Sequence, residues 1–218
     1  MIALLVKAAL GYLLGSIVGS LLVGRLRGGV DIRHLGSGNA GGTNALRTQG
    51  TAFAFWVLLI DIGKGWVATG LLAAARIPGL PAAPGRWGMW SVAACGITVM
   101  LGHVYPLWHG FRGGKGVATL VGAVLGALPV LLVPMLAVWL LAVVLFGFVG
   151  LASILGAVAF AAGAAAIGVA PRTPMLTFAV LSAFLIAFTH RSNIARMLAG
   201  TEPRARRLWL LGAARSRS

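Results

Sequence analysis

The sequence predicts an all-α integral membrane protein with seven transmembrane helices, and three observations lead to this fold class. Of its 218 residues, 59% are hydrophobic and only 10% are charged, whereas a soluble domain carries about 25% charged residues. The apolar runs approach about 20 residues, the length at which a helix crosses the hydrocarbon core of a bilayer. Polar and basic residues gather between these runs. We expect one membrane-embedded domain over residues 1–218, with a basic cytoplasmic tail at 201–218.

The apolar runs can be assigned to seven predicted spans in chain order. The first is expected to be retained, because it is too long for the apolar core of a signal peptide and has no charged leader. Its Gly11, Gly15 and Gly19 recur every four residues and form a smooth stripe on which another helix can pack closely. The predicted spans cover residues 2–23, 51–75, 89–107, two segments of 117–149 with a break near 129–134, 152–169 and 175–189.

The distribution of charge predicts the orientation in the membrane. The chain has 18 Lys and Arg residues against three Asp and Glu residues. With seven spans, the loops at 24–50 and 108–116 and the C-terminal tail share one side and hold most of the basic residues. The positive-inside rule makes that side cytoplasmic, so the N-terminus is expected to be extracytoplasmic and the C-terminus cytoplasmic. The positive charge also suits an anionic ligand, whereas nucleic acid is a weaker explanation because the basic residues stand at the ends of apolar spans.

The polar run 36–47, GSGNAGGTNALR, has the composition of an anion-binding loop. Its glycines allow positive φ angles and a close approach of backbone N–H groups to phosphate-like oxygens, and its guanidinium suits a phosphate. A dinucleotide-binding G-x-G-x-x-G would need a preceding strand, which the long apolar run excludes. A plain polar turn would not need twelve residues so rich in donors. The predicted ligand-binding residues of this loop are Gly36, Ser37, Gly38, Asn39, Gly41, Thr43, Asn44 and Arg47.

A second polar loop lies within 102–119. Gly113, Gly114 and Lys115 are similar to part of a P-loop, but a glycine follows the lysine where Ser or Thr would hold magnesium, and the opening glycine of that motif is missing. What remains is a lysine on an amide-rich turn at the start of a helix, where the helix dipole and the charge favour an anion. His103 is either a ligand or base, or a structural histidine at a helix end.

Two ionisable residues lie inside the second predicted span. Asp61 and Lys64 are one helical turn apart and can partly satisfy each other. Ionisable groups at that depth are costly unless they face the bundle interior or water. Either a substrate-binding pair or a buried structural pair explains them.

The segment 190–202, HRSNIARMLAGTE, ends the last predicted span. His190 and Asn193 share a face if the helix continues, and Arg191 lies beside them. An imidazole can take a proton from a hydroxyl near neutral pH. The basic residues here also fit a plain topology signal.

Several common catalytic arrangements are absent from the sequence. It has no G-x-S-x-G elbow, no H-E-x-x-H motif and no close pair of carboxylates. None of its four histidines is followed by an aspartate five positions on. Cys95 is the only cysteine, so neither an intramolecular disulfide nor a cysteine-based metal site is expected. We predict no metal and no other cofactor, and an enzyme with this sequence would need a substrate that is already activated.

The four motifs at 36–47, 61–65, 102–119 and 190–202 together resemble one known family. Their order, in a hydrophobic chain of just over 200 residues, closely resembles the bacterial acyl-phosphate:glycerol-3-phosphate acyltransferases. The resemblance implies a seven-helix enzyme of the bacterial inner membrane with its active site on the cytoplasmic face. It implies transfer of a fatty acyl group from acyl phosphate to the 1-hydroxyl of glycerol 3-phosphate, giving lysophosphatidic acid and phosphate. It also implies that neither acyl-CoA nor acyl carrier protein is the direct donor.

The resemblance also carries expectations for single residues. Glu202 matches a motif position whose role stays open, and Gly147 and Gly150 stand where the family usually has Arg and Ser. The residues that match active-site positions are Ser37, Arg47, Lys115, His190 and Asn193. The residues expected to bind substrate are Gly36, Gly38, Asn39, Gly41, Thr43, Asn44, Asp61, Lys64, His103, Gly113, Gly114, Ser153 and Arg191.

The residues themselves agree with this activity. Two phosphate-bearing substrates match two separate glycine-rich loops, and a lipid acyl chain fits a site at the ends of transmembrane helices. His190 either accepts the hydroxyl proton or positions the nucleophile by hydrogen bonding, and a phosphate oxygen of the donor could serve as the base instead. A transporter for a phosphorylated metabolite is the main alternative, but it should leave polar residues at midmembrane and on both faces; a purely structural protein leaves the donor-rich loops unexplained. The expected partners are glycerol 3-phosphate, acyl phosphate and membrane lipid, without nucleic acid or an obligate protein partner.

Overall fold

The fold is built from α-helices. A computed structural model describes residues 1–80, 86–168, 172–205 and Trp209, without the side chains of 86–89. Every regular element within these residues is helical, which confirms the all-α prediction. The helices are α1 (Ile2–Gly15), α2 (Gly19–Leu26), α3 (Gly42–Gln49), α4 (Thr51–Trp66, continued by a π-helical segment Val67–Leu72), α5 (Arg86–Val104), α6 (Val117–Ala127), α7 (Leu132–Phe146), α8 (Val149–Ile167), α9 (Arg172–Thr189) and α10 (Arg191–Leu198).

Length and apolarity identify five helical stretches among the described residues that could cross a bilayer alone. A sixth arises if α1 and α2, which are bent by 45° at their junction, count as one broken span. Helix α6 is apolar but has only 11 residues, so the predicted count of seven depends on it. The five long stretches are Thr51–Leu72, Trp90–His109, Pro129–Phe146, Val149–Ile167 and Arg172–Thr189.

The first predicted span differs from the expectation because it is broken. Helix α1 ends at Gly15 and α2 begins at Gly19. Helix ends leave backbone N–H and C=O groups without hydrogen-bond partners. At this break, the partners are two oppositely charged side chains of a buried ion pair on α4. The Lys64 ammonium donates to the carbonyls of Gly15 (3.0 Å) and Ile17 (2.7 Å), and Asp61 Oδ1 accepts from the N–H of Gly19 (3.0 Å). The pair therefore stabilises both sides of the break.

The glycines of the first span allow close helix packing, as the sequence predicts. A Cβ atom at Gly15 would overlap the backbone of Val99 on α5, and one at Gly11 would lie 2.6 Å from Thr98 Oγ1. Gly19 instead faces α4, where a Cβ atom would lie 2.7 Å from the carbonyl oxygen of Val57. Small residues thus bring α1 against α5 and α2 against α4.

The C-terminal half packs around an apolar core that joins α5, α6, α8 and α9. Phe160 and Phe178 are fully buried and meet edge to face, with ring centroids 5.4 Å apart. Met100, Leu120 and Ile186 extend this core towards the ends of α5, α6 and α9. The same core therefore fixes the helix ends from which the second polar loop and the last motif emerge.

We predict that Gly15→Ala will destabilise the protein, because an added methyl group would press on the Val99 backbone. Overpacking of this kind costs about 1–3 kcal/mol. The matched control is Gly63→Ala on α4, where a Cβ atom would meet nothing within 4 Å. Thermal unfolding of both variants in the same detergent checks the prediction, and equal unfolding temperatures would contradict it.

Candidate active site

The second polar loop folds back onto the end of α5. The N–H groups of Gly113 and Gly114 donate to the carbonyls of Val104 (3.0 Å) and His103 (3.1 Å). A Cβ atom at Gly113 would overlap the His103 carbonyl, and one at Gly114 would overlap the His103 ring. Only glycine leaves room for this turn, and the turn delivers Lys115 to the start of α6.

A chain of hydrogen bonds connects Lys115 to the last motif. The Lys115 ammonium donates to Asn193 Oδ1, and Asn193 Nδ2 donates to Glu202 Oε1 at 2.5 Å. The other carboxylate oxygen of Glu202 accepts from Arg196 Nε at 2.7 Å, and the Glu202 side chain is only 6% exposed. Because its Nδ2 is held by Glu202, Asn193 must present its oxygen to the lysine. The Thr189 hydroxyl strengthens the junction by donating to the Lys115 carbonyl at 3.0 Å.

Lys115 sits in an environment that weakens its hold on a proton. Burial lowers the pKa of Lys115 to about 8, and the charge of Arg196 acts in the same direction while Glu202 opposes it. The ammonium is therefore partly desolvated, and its pKa lies close enough to neutral pH for the group to lose its proton readily. Such a group gains strongly from an anionic ligand, which restores the charged form.

His190 lies at the junction of α9 and α10, because the helix of the last span ends at Thr189 and a new one begins at Arg191. Its Nδ1 is 2.8 Å from the carbonyl of Ile186, an acceptor, so Nδ1 carries the proton and Nε2 has the free lone pair. Burial first, and the charge of Lys115 second, lower the pKa of His190 to about 4. His190 is therefore neutral near pH 7 and offers a hydrogen-bond acceptor.

The first polar loop is organised by Asn44, which is buried at the start of α3. Its Oδ1 accepts from the Ser37 N–H at 3.0 Å, and its Nδ2 contacts the carbonyls of Ile32, Leu35 and Asn39 at 2.9–3.0 Å. Asn44 therefore uses its side chain to shape the loop, and the predicted contact of Asn44 with a ligand stays a prediction.

The loop exposes the groups best suited to an anion. Gly36 and Gly38 adopt positive φ angles of 56° and 71°, and both are exposed. The side chains of Ser37 and Arg47 are also exposed, and neither has a hydrogen-bond partner among the described residues. The loop thus offers a hydroxyl and a guanidinium that remain available for a ligand.

Some of the predicted active-site residues contact one another in the structure, and others do not. Lys115 and Asn193 meet directly. No hydrogen bond within the described part of the chain links Ser37 or Arg47 to Lys115 or His190, so a common site for all five stays a prediction. The two polar loops are connected by a residue that the sequence analysis did not select, Arg33.

Asp61, Lys64 and His103 form a buried cluster beneath the Gly113–Lys115 turn. The Lys64 ammonium lies 2.9 Å from Asp61 Oδ1 and 2.8 Å from His103 Nδ1, and none of the three residues is more than 4% exposed. Their polar atoms hold the helix break and support the second loop. Of the two sequence-based explanations, the contacts give them a structural role, and substrate binding by these residues stays a prediction.

The other predicted residues lie on three helices. Gly41 precedes α3, and Thr43 is exposed in its first turn. Ser153 is buried on α8 and donates to the carbonyl one turn earlier at 2.8 Å. The Arg191 guanidinium lies 4.5 Å from the centre of the Phe188 ring. Among the residues that the structure describes, no group of three His, Cys, Asp or Glu side chains could hold a metal ion.

The start of the predicted tail docks against the turn between α7 and α8. The Arg204 guanidinium lies 4.8 Å from the centre of the Phe148 ring and 3.9 Å from that of Trp209, and Trp209 covers Gly147. In the first turn of α8, a Cβ atom at Gly150 would come within 2.9 Å of Asn193. The two glycines that depart from the family pattern therefore make room for the tail and for Asn193. Residues 206–208 and 210–218 of the predicted tail lie outside the described residues.

Taken together, these features define an apolar helical bundle with donor-rich loops at its helix ends. Comparison with known proteins gives its family: the chain belongs to the glycerol-3-phosphate acyltransferases, whose family model matches residues 5–200. It is therefore an integral membrane acyltransferase of phospholipid synthesis that acts on glycerol 3-phosphate, and this confirms the family predicted from the motifs.

Individual relatives agree along nearly the whole chain. A glycerol-3-phosphate acyltransferase of Synechococcus sp. (strain JA-3-3Ab) is 41% identical over 206 residues, covering 94% of this chain and 95% of the relative. One from Bordetella pertussis is 42% identical over 199 residues, covering 89% and 88%. The crystal structure of PlsY (YgiH), an integral membrane glycerol 3-phosphate acyltransferase, in its glycerol 3-phosphate form has a TM-score of 0.81 at 33% identity, over 92% of this chain and 94% of that one. Its lysophosphatidic acid form has a TM-score of 0.79.

We predict that the reactivity of Lys115 towards an amine-specific reagent will rise with pH around a midpoint of about 8, because burial lowers its pKa to that value. An ordinary lysine would have its midpoint near 10.4. The internal controls are Lys7 and Lys64, the other two lysines, which are 6% and 4% exposed and should stay unlabelled in the folded protein. Mass spectrometry of the labelled peptides measures all three. A midpoint at 10 or above would contradict the prediction.

Proposed function

We propose that this enzyme transfers a fatty acyl group from acyl phosphate to the 1-hydroxyl of glycerol 3-phosphate, forming lysophosphatidic acid and inorganic phosphate. The observation that carries the proposal is the contact between Lys115 and Asn193, with neutral His190 nearby on the same motif. It combines a desolvated cation for a phosphate with a hydrogen-bond acceptor for a hydroxyl. The relatives described as the glycerol 3-phosphate and lysophosphatidic acid forms of PlsY support this acceptor and this product.

The two phosphates are assigned to the two polar loops. The exposed side chains of Arg47 and Ser37 form one cradle, and the Lys115 ammonium just before α6 forms the other. Each cradle offers a positive charge to a phosphate, and the contact with Lys115 is strengthened because that ammonium is partly desolvated. Because acyl phosphate is a mixed anhydride with a good leaving group, these charges and correct orientation suffice without a covalent enzyme intermediate.

In the proposed reaction, the 1-hydroxyl oxygen attacks the acyl carbonyl carbon, an ester bond forms, and the bond from that carbon to the phosphate oxygen breaks. The hydroxyl proton has two possible acceptors. His190 has a pKa of about 4 in the free site, whereas a dianionic phosphate monoester takes up a proton with a pKa of about 6, and the phosphate that leaves the donor is an anion of the same kind. The phosphate is the stronger base, so we infer that His190 Nε2 orients the hydroxyl by accepting its hydrogen bond and that the proton leaves with the phosphate.

The membrane arrangement is part of the proposal. Counting α1 with α2 as one broken span and α6 as a short span gives seven crossings of a single domain over residues 1–218. An odd number puts the two polar loops and the last motif on one side, and the basic residues there make it the cytoplasmic side of the bacterial inner membrane, with the N-terminus outside. Acyl phosphate would reach this site from the lipid phase and glycerol 3-phosphate from the cytoplasm.

The direct test is an assay of purified enzyme with palmitoyl phosphate and glycerol 3-phosphate in detergent or lipid. We expect phosphate release that depends on glycerol 3-phosphate, together with an equal amount of lysophosphatidic acid measured by mass spectrometry. Palmitoyl-CoA in place of palmitoyl phosphate should give no product. Binding of glycerol 3-phosphate without consumption of acyl phosphate would overturn the proposed donor.

We predict that His190→Gln will retain more activity than His190→Ala. A glutamine oxygen can still accept a hydrogen bond from the substrate hydroxyl, whereas loss of a true general base would cost about 10²–10⁴-fold in either variant. The rate of acyl transfer under saturating substrates measures the difference. The matched control is His34→Gln, since the His34 side chain is 80% exposed. Equal and complete losses in both His190 variants would favour the general-base role instead.

A further inference from the structure

The two polar loops are joined through the side chain of Arg33, which belongs to neither motif. Asp31 holds one edge of its guanidinium: Nε lies 3.0 Å from Oδ1 and Nη2 lies 2.7 Å from Oδ2. The same carboxylate accepts the Arg33 backbone N–H at 2.9 Å. The guanidinium plane is therefore fixed by contacts within its own loop.

The free edge of the guanidinium reaches the second polar loop. Arg33 Nη1 donates to the carbonyls of His109 and Arg112, each at 2.9 Å, across 76 and 79 residues of sequence. Only a planar fork of N–H donors can bind a carboxylate on one edge and two carbonyls on the other. A lysine has no second edge.

The two carbonyls flank a strained turn. Phe111 has a φ angle of 58°, and it is the only described residue other than glycine with a positive φ. A bulky residue in this conformation persists only where its surroundings hold it, at a cost of about 1–3 kcal/mol. Arg33 binds the chain on both sides of Phe111, directly before the Gly113–Lys115 turn.

The other end of the connection lies in the first loop. The carbonyl of Ile32, between Asp31 and Arg33, is bound by Asn44 Nδ2 at 3.0 Å. Asn44 also holds the Ser37 N–H. A continuous series of contacts thus runs from the Ser37 backbone, through Asn44 and the Asp31–Arg33 pair, to the segment that precedes Lys115.

We propose that Asp31 and Arg33 are positioning residues that fix the distance between the two phosphate cradles. This rests on the proposed function, because it assigns one phosphate-bearing substrate to each loop. The pair acts through the loops and does not touch the reacting atoms. Hydrogen bonding to Arg33 lowers the pKa of Asp31 to about 2, so the carboxylate stays ionised over the whole working range of pH.

The alternative is that Arg33 and Asp31 form an ordinary surface ion pair with little effect on the protein. The side chains of Arg33 and Asp31 are 19% and 29% exposed, and pairs near the surface contribute about 0–1 kcal/mol to stability. The two roles differ in what they predict. A surface pair affects stability slightly and catalysis not at all, whereas a positioning pair affects the rate without unfolding the protein.

The kinetic test compares Asp31→Asn, Arg33→Gln and Arg33→Lys with Arg27→Gln, a change at an exposed arginine at the C-terminal end of α2. We expect Asp31→Asn and Arg33→Gln to lower kcat for acyl transfer about 10- to 100-fold, the scale of a misplacement of about 1 Å. Arg33→Lys should recover little, because it restores only the charge. Unfolding temperatures should match that of Arg27→Gln. Unchanged kcat in Arg33→Gln, or wild-type kcat in Arg33→Lys, would overturn the proposal.

A second measurement does not depend on activity. Spin labels at cysteines introduced by His34→Cys and Arg112→Cys, in a Cys95→Ala background, report the distance between the loops by double electron–electron resonance. We expect a narrow distance distribution that broadens when Arg33→Gln is added, and an unchanged distribution would overturn the proposal. If the wild-type enzyme fails to use acyl phosphate, the proposed function falls while this measurement still tests the connection.

Discussion

The end of the bundle that carries the two polar loops depends on the contacts of the Lys64 ammonium. A helix interrupted inside an apolar environment leaves N–H and C=O groups that lipid cannot satisfy. Lys64 and Asp61 satisfy both ends of the break between α1 and α2, and Lys64 also contacts His103 on α5. One pair of charges therefore connects α4 to three other helices. It directs α2, and with it the first polar loop, towards the end of α5 where the second loop turns back.

The side chains that hold the polar loops in place differ from the side chains that are exposed and free to contact a ligand. Asn44, His103 and Glu202 are enclosed, and their polar atoms are used by neighbouring backbone or side chains. Ser37 and Arg47 are exposed, and Lys115 is partly so. Buried polar residues are costly unless fully hydrogen-bonded, and here their bonds fix the loops that carry the outward-facing donors. A rigid site is what the proposed mechanism needs, because that mechanism depends on the orientation of the substrates.

The sequence predicted well whatever depends on local pattern. Apolar run length gave the all-α membrane class, the four-residue spacing of Gly11 and Gly15 predicted a close helix contact, and the three-residue spacing of Asp61 and Lys64 predicted their ion pair. The break in the first span was not predictable, since the apolar run is continuous and the residues that stabilise the break lie more than 40 residues away.

The contacts between residues far apart in the chain could not be predicted from the sequence either. Arg33 binds backbone carbonyls, and a carbonyl leaves no residue-type signal at the partner position. The only hint was one of three acidic residues two positions before an arginine. The end of α9 at Thr189 likewise follows from tertiary packing, and it separates His190 from the regular helix that its spacing to Asn193 suggested.

The protonation of His190 has a consequence for the design of inhibitors. With Nδ1 committed to the Ile186 carbonyl, the ring has one available atom, and that atom is an acceptor. A compound with a carboxylate opposite it would find no cation and would lose its own hydration. A hydroxyl or amide N–H at that point would be matched, and the proposed function places the acidic part of the molecule next to Lys115. Ligands designed for the proposed site should therefore combine a hydrogen-bond donor for His190 with an anionic group for Lys115.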